Sequence, residues 1–239
     1  MEKTTYRCNK DDIDINHLVE IIIKGFKKKR IYELTGSHSG IDSYVEKTYY
    51  DTSDMQIFNQ HGVCRKVVYN ANDEKSKFAL LQYTPSMNYS LESYELGAED
   101  LSSDEICKIL EVDQEMNPVV FLKSKEKHLF FNDKKGIMEP SLNDALVECV
   151  VKAVKVYNSK KEYVNNCVLI QLRDRSLDVQ NETIKEENQE RVLRCYNAFE
   201  AMMIGYRNEK VTRSMNSFIK QLVVYPKRIV DLQDEEEKC

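Results

Sequence analysis

Residues 46–69, EKTYYDTSDMQIFNQHGVCRKVVY, carry the clearest structural instruction in the chain. Aromatic and β-branched residues run into Asp51-Thr52-Ser53-Asp54, and Gly62 then precedes a basic run from Val63. Aromatic and β-branched side chains favour a pleated strand, whereas clustered Asp, Thr and Ser bond to nearby backbone and interrupt it. The order predicted is a strand, a turn with a short helical segment around Ile57, and a second strand bearing Arg65 and Lys66.

Similar signals extend on both sides. KTTYRC at the start reads as a short strand, and DDIDINHLVEIIIKGFKKK as a helix with Asp at its cap and a basic last turn. Its apolar positions, Ile15, Leu18, Val19, Ile22, Ile23 and Phe26, step by the three and four residues that make one stripe. TGSHSG (35–40) reads as a turn; an anion-binding nest there would lack the lysine of a phosphate loop. Strands are predicted at 77–84, closed by Pro85, and at 89–96, followed by a capped helix over 102–112 with Ile106, Ile109 and Leu110 on one face. A strand over 118–131 follows, then a hairpin of 145–157 and 163–175 joined by NSKKE. From about 182 the pattern is helical, with Val192, Leu193, Tyr196, Phe199, Met202 and Met203 in one stripe, a further helix around 210–222, and an acidic tail. About eight strands on short links predict a mainly β, α+β fold: an eight-stranded antiparallel barrel with flanking helices. The expected division is 1–181 for the barrel and 182–239 for helices packed on it.

The chain has 239 residues and a formal net charge of −5, which argues against coating duplex nucleic acid through an overall field. Its seven cysteines include no C-x-x-C pair and no leader-like apolar segment follows Met1, so a reducing, cytoplasmic or otherwise intracellular setting is expected. No apolar run approaches the ~18–20 residues of a membrane span. Four scattered histidines lack zinc-site spacing. Cys64 has Arg65 beside it but no paired histidine, so it is not expected to be a nucleophile, and Tyr49 and Tyr50 read as packing residues.

The cations concentrate on strands. Lys123, Lys125 and Lys127 share one face of FLKSKEKHLFF at ~7 Å intervals, and Arg173 and Arg175 share one face of QLRDR. On one strand this is commonly an edge that discourages aggregation. Repeated on several strands, it predicts a polar face able to neutralise a phosphate chain.

Together, YYDT (49–52), Asp54, Ile57, Gly62 and Arg65, with Lys125, Lys127 and Phe130 further on, resemble the CYTH superfamily of triphosphate tunnel metalloenzymes. The resemblance is specific over 47–67 and covers about 1–200 in element order. It implies an eight-stranded tunnel in which basic residues grip a triphosphate while glutamates on the first and last strands hold Mg²⁺ or Mn²⁺ for attack at phosphorus. Against that pattern, Lys3 and Thr5 occupy the first-strand glutamate positions when Arg7 takes the lysine position, and Gln171 and Arg173 occupy those of the last strand. An alternative alignment on LVECVV keeps Glu148, with Val150 as its partner position; Val67 replaces the second arginine, and Gln82 or Tyr83 an expected lysine.

The resulting expectation is a tunnel protein that binds a phosphate-rich ligand or a protein partner, with an eroded metal site. Arg7, Arg65, Lys66, Lys123, Lys125, Lys127, Arg173 and Arg175 are the candidate ligand-binding residues, and Glu148, inward or solvated, the candidate catalytic one. A working Mg²⁺- or Mn²⁺-dependent triphosphatase, acting on an RNA 5′-triphosphate, a nucleotide or a small triphosphate, is the alternative, and needs Glu2, Glu95 and Glu148 to converge. A third reading is an interaction module using the C-terminal helices.

Overall fold

The structure, a computed structural model, describes residues 3–8, 14–34, 41–57, 63–69, 78–83, 91–95, 102–137, 142–176, 182–206 and 209–210. The strands are β1 (Lys3–Arg7), β2 (Tyr32–Glu33), β3 (Ile41–Asp51), β4 (Val63–Tyr69), β5 (Phe78–Tyr83), β6 (Leu91–Glu95), β7 (Asn117–Asn132), β8 (Val147–Asn158), β9 (Tyr163–Asp174) and β10 (Glu209–Lys210). The helices are α1 (Ile15–Lys28), α2 (Ser103–Ile109) and α3 (Glu182–Gly205). A mainly β, α+β fold with antiparallel pairing is therefore present. The strand order is β10-β1-β9-β8-β7-β3-β4-β5-β6, with β2 on β7. Among the described residues the sheet holds ten strands, of which β2 and β10 are only two residues long. Among the described residues the two ends of this order are not paired with each other.

The chain divides into two compact units, Met1–Ser43 with Lys125–Val154 and Cys167–Thr212, and Tyr44–Ser124 with Lys155–Asn166 and Arg213–Cys239. In the first unit, Asp14 caps α1 by accepting from the Asn16 N–H at 3.0 Å, and Leu18, Val19, Ile22 and Phe26 are buried on its stripe. They meet the odd positions of β8 (Val147, Cys149, Val151) and the even positions of β9 (Val168, Ile170, Leu172), as a period of two requires. Val192, Cys195, Tyr196, Phe199 and Met203 of α3 join the same core. Most of the expected α3 stripe is thus core, while Leu193 is 46% exposed. Gly25 lets α1 approach α3 closely, since a Cβ there would lie 2.3 Å from Met202 Sδ. Asp133, after β7, receives Arg191 and Arg194 from α3, and Arg191 also reaches Asn188 and Asn132.

In the second unit, α2 carries a capping box: Ser102 Oγ accepts from the Glu105 N–H at 3.3 Å, and Glu105 Oε2 accepts from the Ser102 N–H at 2.8 Å. Its buried face is Ile106, Cys107 and Leu110, packed with Ile57 and Cys64. Cys107 takes the inward place expected of Ile109, which is 54% exposed. The expected hairpin turn between β8 and β9 is organised by Asn158, whose Oδ1 accepts from the Lys160 and Glu162 N–H groups at 3.0 and 2.9 Å. The TGSHSG loop, the helix expected around 210–222 and the acidic tail lie outside the described residues. No described helix is long and apolar enough to cross a membrane.

Candidate functional site

The opening motif is chiefly a folding device. Buried Asp51 accepts through Oδ1 from the N–H groups of Thr52 (2.8 Å) and Ile57 (3.0 Å), holding the end of β3 against the segment that follows. Thr52 Oγ1 accepts from the Gln56 N–H at 2.8 Å and donates to Asp54 Oδ1 at 2.6 Å. On the adjoining strands Tyr49 stands opposite Arg65, and Thr48 opposite Lys66. Burial raises the Tyr49 pKa, an effect the charge and hydrogen bond of Arg65 reduce without reversing. Burial, then the nearby Asp51 and Cys107, push the Cys64 thiol up to about 12, so it is protonated and unreactive at neutral pH.

The chemistry-bearing cluster lies in the first unit, on the sheet face opposite the apolar core. Where β8 turns Val147, Cys149 and Val151 into that core, it turns Glu148 and Lys152 the other way; β9 does the same with Gln171, Arg173 and Arg175, the last just beyond the strand. Along β7 the side chains alternate between Lys123, Lys125 and Lys127 on one face and Ser124, Glu126 and His128 on the other. Glu126 and Glu148 are only 3% and 7% exposed. Buried carboxylates need partners, and both have them. Lys152 Nζ donates to Glu126 Oε2 at 2.7 Å. His128 Nδ1 lies 2.7 Å from Glu148 Oε1, with Arg173 and Arg175 Nη1 at 3.8 and 3.9 Å from Oε2. The other imidazole nitrogen, Nε2, is 3.2 Å from Ser43 Oγ on β3 and 3.9 Å from Glu126 Oε2.

Burial alone would raise the Glu148 pKa. The His128 hydrogen bond and charge, then Arg175 and Arg173, outweigh it and hold the carboxyl below its usual range. An ionised Glu148 can only accept, so Nδ1 of His128 carries a proton; in the neutral ring Nε2 is then the basic nitrogen, facing the Ser43 hydroxyl.

Of the candidates drawn from sequence, Glu148, Arg173 and Arg175 come together here, with Glu148 buried and facing the polar side. Arg7 stands on β1 opposite Leu169 and shares the face of Thr5. The three lysines of β7 occur on its other face: Lys123 pairs with Glu46 at 3.0 Å, Lys125 with Asp42 at 3.0 Å, and Lys127 reaches Asp42 at 3.8 Å and Asn16 Oδ1 at 3.0 Å. Arg65 and Lys66 belong to the second unit. Sequence reasoning missed Glu126, His128, Lys152 and Ser43; for the first three the only signal was that they alternate with the residues it chose or with core residues.

Where the resemblance expects two pairs of glutamates, β1 and β9 are partnered in register, Lys3 opposite Arg173 and Thr5 opposite Gln171. Gln171 Nε2 donates to Thr5 Oγ1 at 3.3 Å, a neutral pair in place of carboxylates. Magnesium or manganese takes oxygen ligands, usually including one or two carboxylates free to bind it. Glu126 and Glu148 are instead held by Lys152, His128 and two arginines, and no group of three acidic, His or Cys side chains suited to a metal occurs among the described residues. The described residues do not fit that ion. Glu2 and the side chain of Glu95 lie outside them.

No protein-family model matches the chain, and no curated protein does. Solved structures similar to it include a candidate adenylyl cyclase from Hippeastrum, HpAC1, described as having dominant triphosphatase activity (10% identity, 92% of this chain and 96% of that one, TM-score 0.47). Others are the PH1819 protein of Pyrococcus horikoshii (12% identity, 92% and 98% covered, TM-score 0.40) and a candidate adenylate cyclase of Vibrio parahaemolyticus (10% identity, 91% and 96% covered, TM-score 0.36).

Proposed function

We propose that the chain binds a phosphate-rich anion on the polar face of β1, β7, β8 and β9, without a catalytic divalent metal. The observation that carries this reading is the pairing in the cluster. Glu126 and Glu148 are engaged by Lys152, His128, Arg173 and Arg175, and among these described residues the cations outnumber the carboxylates even with His128 neutral. Arg173 is nearly half exposed and lies 3.8 Å from the Glu148 carboxylate, so its guanidinium is both anchored and open to solvent. A tripolyphosphate presents oxygens that such forks and an ammonium group can share. Arg7 extends the same face along β1. Closure of the sheet into the tunnel that the resemblance implies belongs to this reading too, as does a role for the lysines of β7 in drawing anions towards the protein.

Titration calorimetry with inorganic tripolyphosphate tests it. Binding is expected without metal, weakening as salt rises. Replacing both Arg173 and Arg175 with Ala is expected to weaken it by about 10-fold or more, since a charge-assisted hydrogen bond contributes roughly 1.5–3 kcal/mol. Robust Mn²⁺-dependent release of phosphate from tripolyphosphate or a nucleoside triphosphate would overturn the proposal in favour of a metal-dependent triphosphatase.

A further inference from the structure

The cluster contains a second constellation, which shares His128 and Glu148 with the proposed anion site and adds Ser43. Ser43 Oγ, His128 Nε2, His128 Nδ1 and Glu148 Oε1 form an unbroken chain, 3.2 Å at the first link and 2.7 Å at the second. The three residues come from three strands, β3, β7 and β8, that are successive neighbours in the sheet. A hydroxyl on one imidazole nitrogen and a buried carboxylate on the other is the arrangement by which a serine is activated as a nucleophile. Each role has its own physical support here. Glu148 is 7% exposed and kept ionised by its neighbours, so it fixes the ring with the basic nitrogen towards Ser43. Ser43 is half-buried. Glu126 Oε2, 3.9 Å from Nε2, adds a second negative charge beside a ring that becomes positive when it takes the serine proton.

We propose that Ser43, His128 and Glu148 form a nucleophilic triad that transfers the acyl group of an anionic carboxylic ester to water. Ser43 Oγ bonds to the ester carbonyl carbon while its proton passes to His128 Nε2. The carbon–oxygen bond to the alcohol breaks, and the departing alkoxide takes that proton. Water then attacks the acyl-serine, giving a proton to Nε2, and Ser43 Oγ leaves with it as the acid is released. Ser43 and His128 are the catalytic residues; Glu148 is a positioning residue acting through His128. The charge on the ester follows from the arginines flanking Glu148 and from Lys152 on Glu126, which favour a substrate with its own carboxylate or phosphate. This inference shares Glu148 and its arginines with the proposed anion site, but its distinguishing residue is Ser43 and its readout contains no polyphosphate, so either reading can fail without the other.

The test is labelling of the native full chain with a fluorophosphonate probe, which bonds to an activated serine with loss of fluoride, followed by mass-spectrometric location of the adduct. A single adduct on Ser43, absent from urea-unfolded protein and from Ser43→Ala and His128→Ala, is expected. Glu148→Gln should slow labelling by about 10³–10⁴-fold, and Glu148→Asp should restore part of the rate, which a purely structural role would not do. The Ser43-dependent part of nitrophenolate release, taken above the Ser43→Ala background because a succinate half-ester also expels nitrophenolate by attack of its own carboxylate, should be several-fold faster from 4-nitrophenyl hydrogen succinate than from the acetate. Because a Glu148 variant could fail to fold, the wild-type result decides: no native adduct on Ser43, or labelling equal in folded and unfolded chains, overturns the triad. Faster Ser43-dependent release from the acetate overturns the anionic substrate class.

Discussion

Glu126 illustrates what a single buried charge demands. Its carboxylate is 3% exposed, and Lys152 provides a 2.7 Å partner that is itself mostly out of solvent. Such a pair adds little over a well-packed apolar pair, because desolvation of both ions offsets their attraction; removing one member strands the other. Lys152→Met keeps much of the stem's packing but removes the cation that stands 2.7 Å from the buried Glu126 carboxylate. A loss of about 3–5 kcal/mol in stability is expected from urea unfolding. Glu126→Gln combined with Lys152→Met should recover most of it, since no charge then remains to compensate. A single variant as stable as the wild type would mean that Glu126 takes up a proton or meets water instead.

At the scale of elements, α1 and α3 are held by an aromatic contact as well as by the close approach at Gly25. Phe199 is fully buried, meeting Tyr6 edge-on at 5.5 Å and stacking near Phe26 at 6.2 Å between centroids. Phe199→Ala is expected to cost about 3–5 kcal/mol, read as a lowered urea midpoint. A cost under ~1 kcal/mol would show the helix contributes little to this core. The helices were legible because a stripe with period 3.6 identifies both the element and its buried side. Strands reveal less. A period of two shows that Lys123, Lys125 and Lys127 share a face, but not which face is covered. Long ammonium stems are readily solvated beside Asp42 and Glu46, whereas the buried alternates, Glu126 and His128, become intelligible only once Lys152 and Glu148 are known to lie across from them. Ser43 carried no signal at all, since its partner is 85 residues away in sequence.

For the molecule as a whole, acid is the informative stress. Glu148 titrates below the usual carboxylate range because burial is outweighed by His128, Arg175 and Arg173. Asp133 is lowered chiefly by the Arg191 hydrogen bond, with burial opposing and the charges of Arg191 and Arg194 assisting. A carboxyl whose folded-state pKa is depressed adds stability that is fully present above its unfolded value, roughly pH 4–4.5, and is lost as pH falls through the folded value. Stability should therefore decline below about pH 5, and Asp133→Asn should show a shallower decline than the wild type in urea midpoints measured from pH 7 to 3. Equal slopes would remove Asp133 from that account. The sequence did announce a mainly β chain with cations gathered on strands, but the pairing that decides its acid response joins segments far apart along the chain.

The alternation along β7 has a consequence for how this protein can change over generations. A point substitution there alters one group and leaves its neighbours where they were. Loss or gain of one codon before Lys123 exchanges the two sets of side chains wholesale, bringing three ammonium groups to the covered side and putting a carboxylate and an imidazole in water. The strand thus behaves like a frame with two readings, only one of which neutralises Lys152, so length in this segment is under tighter constraint than composition.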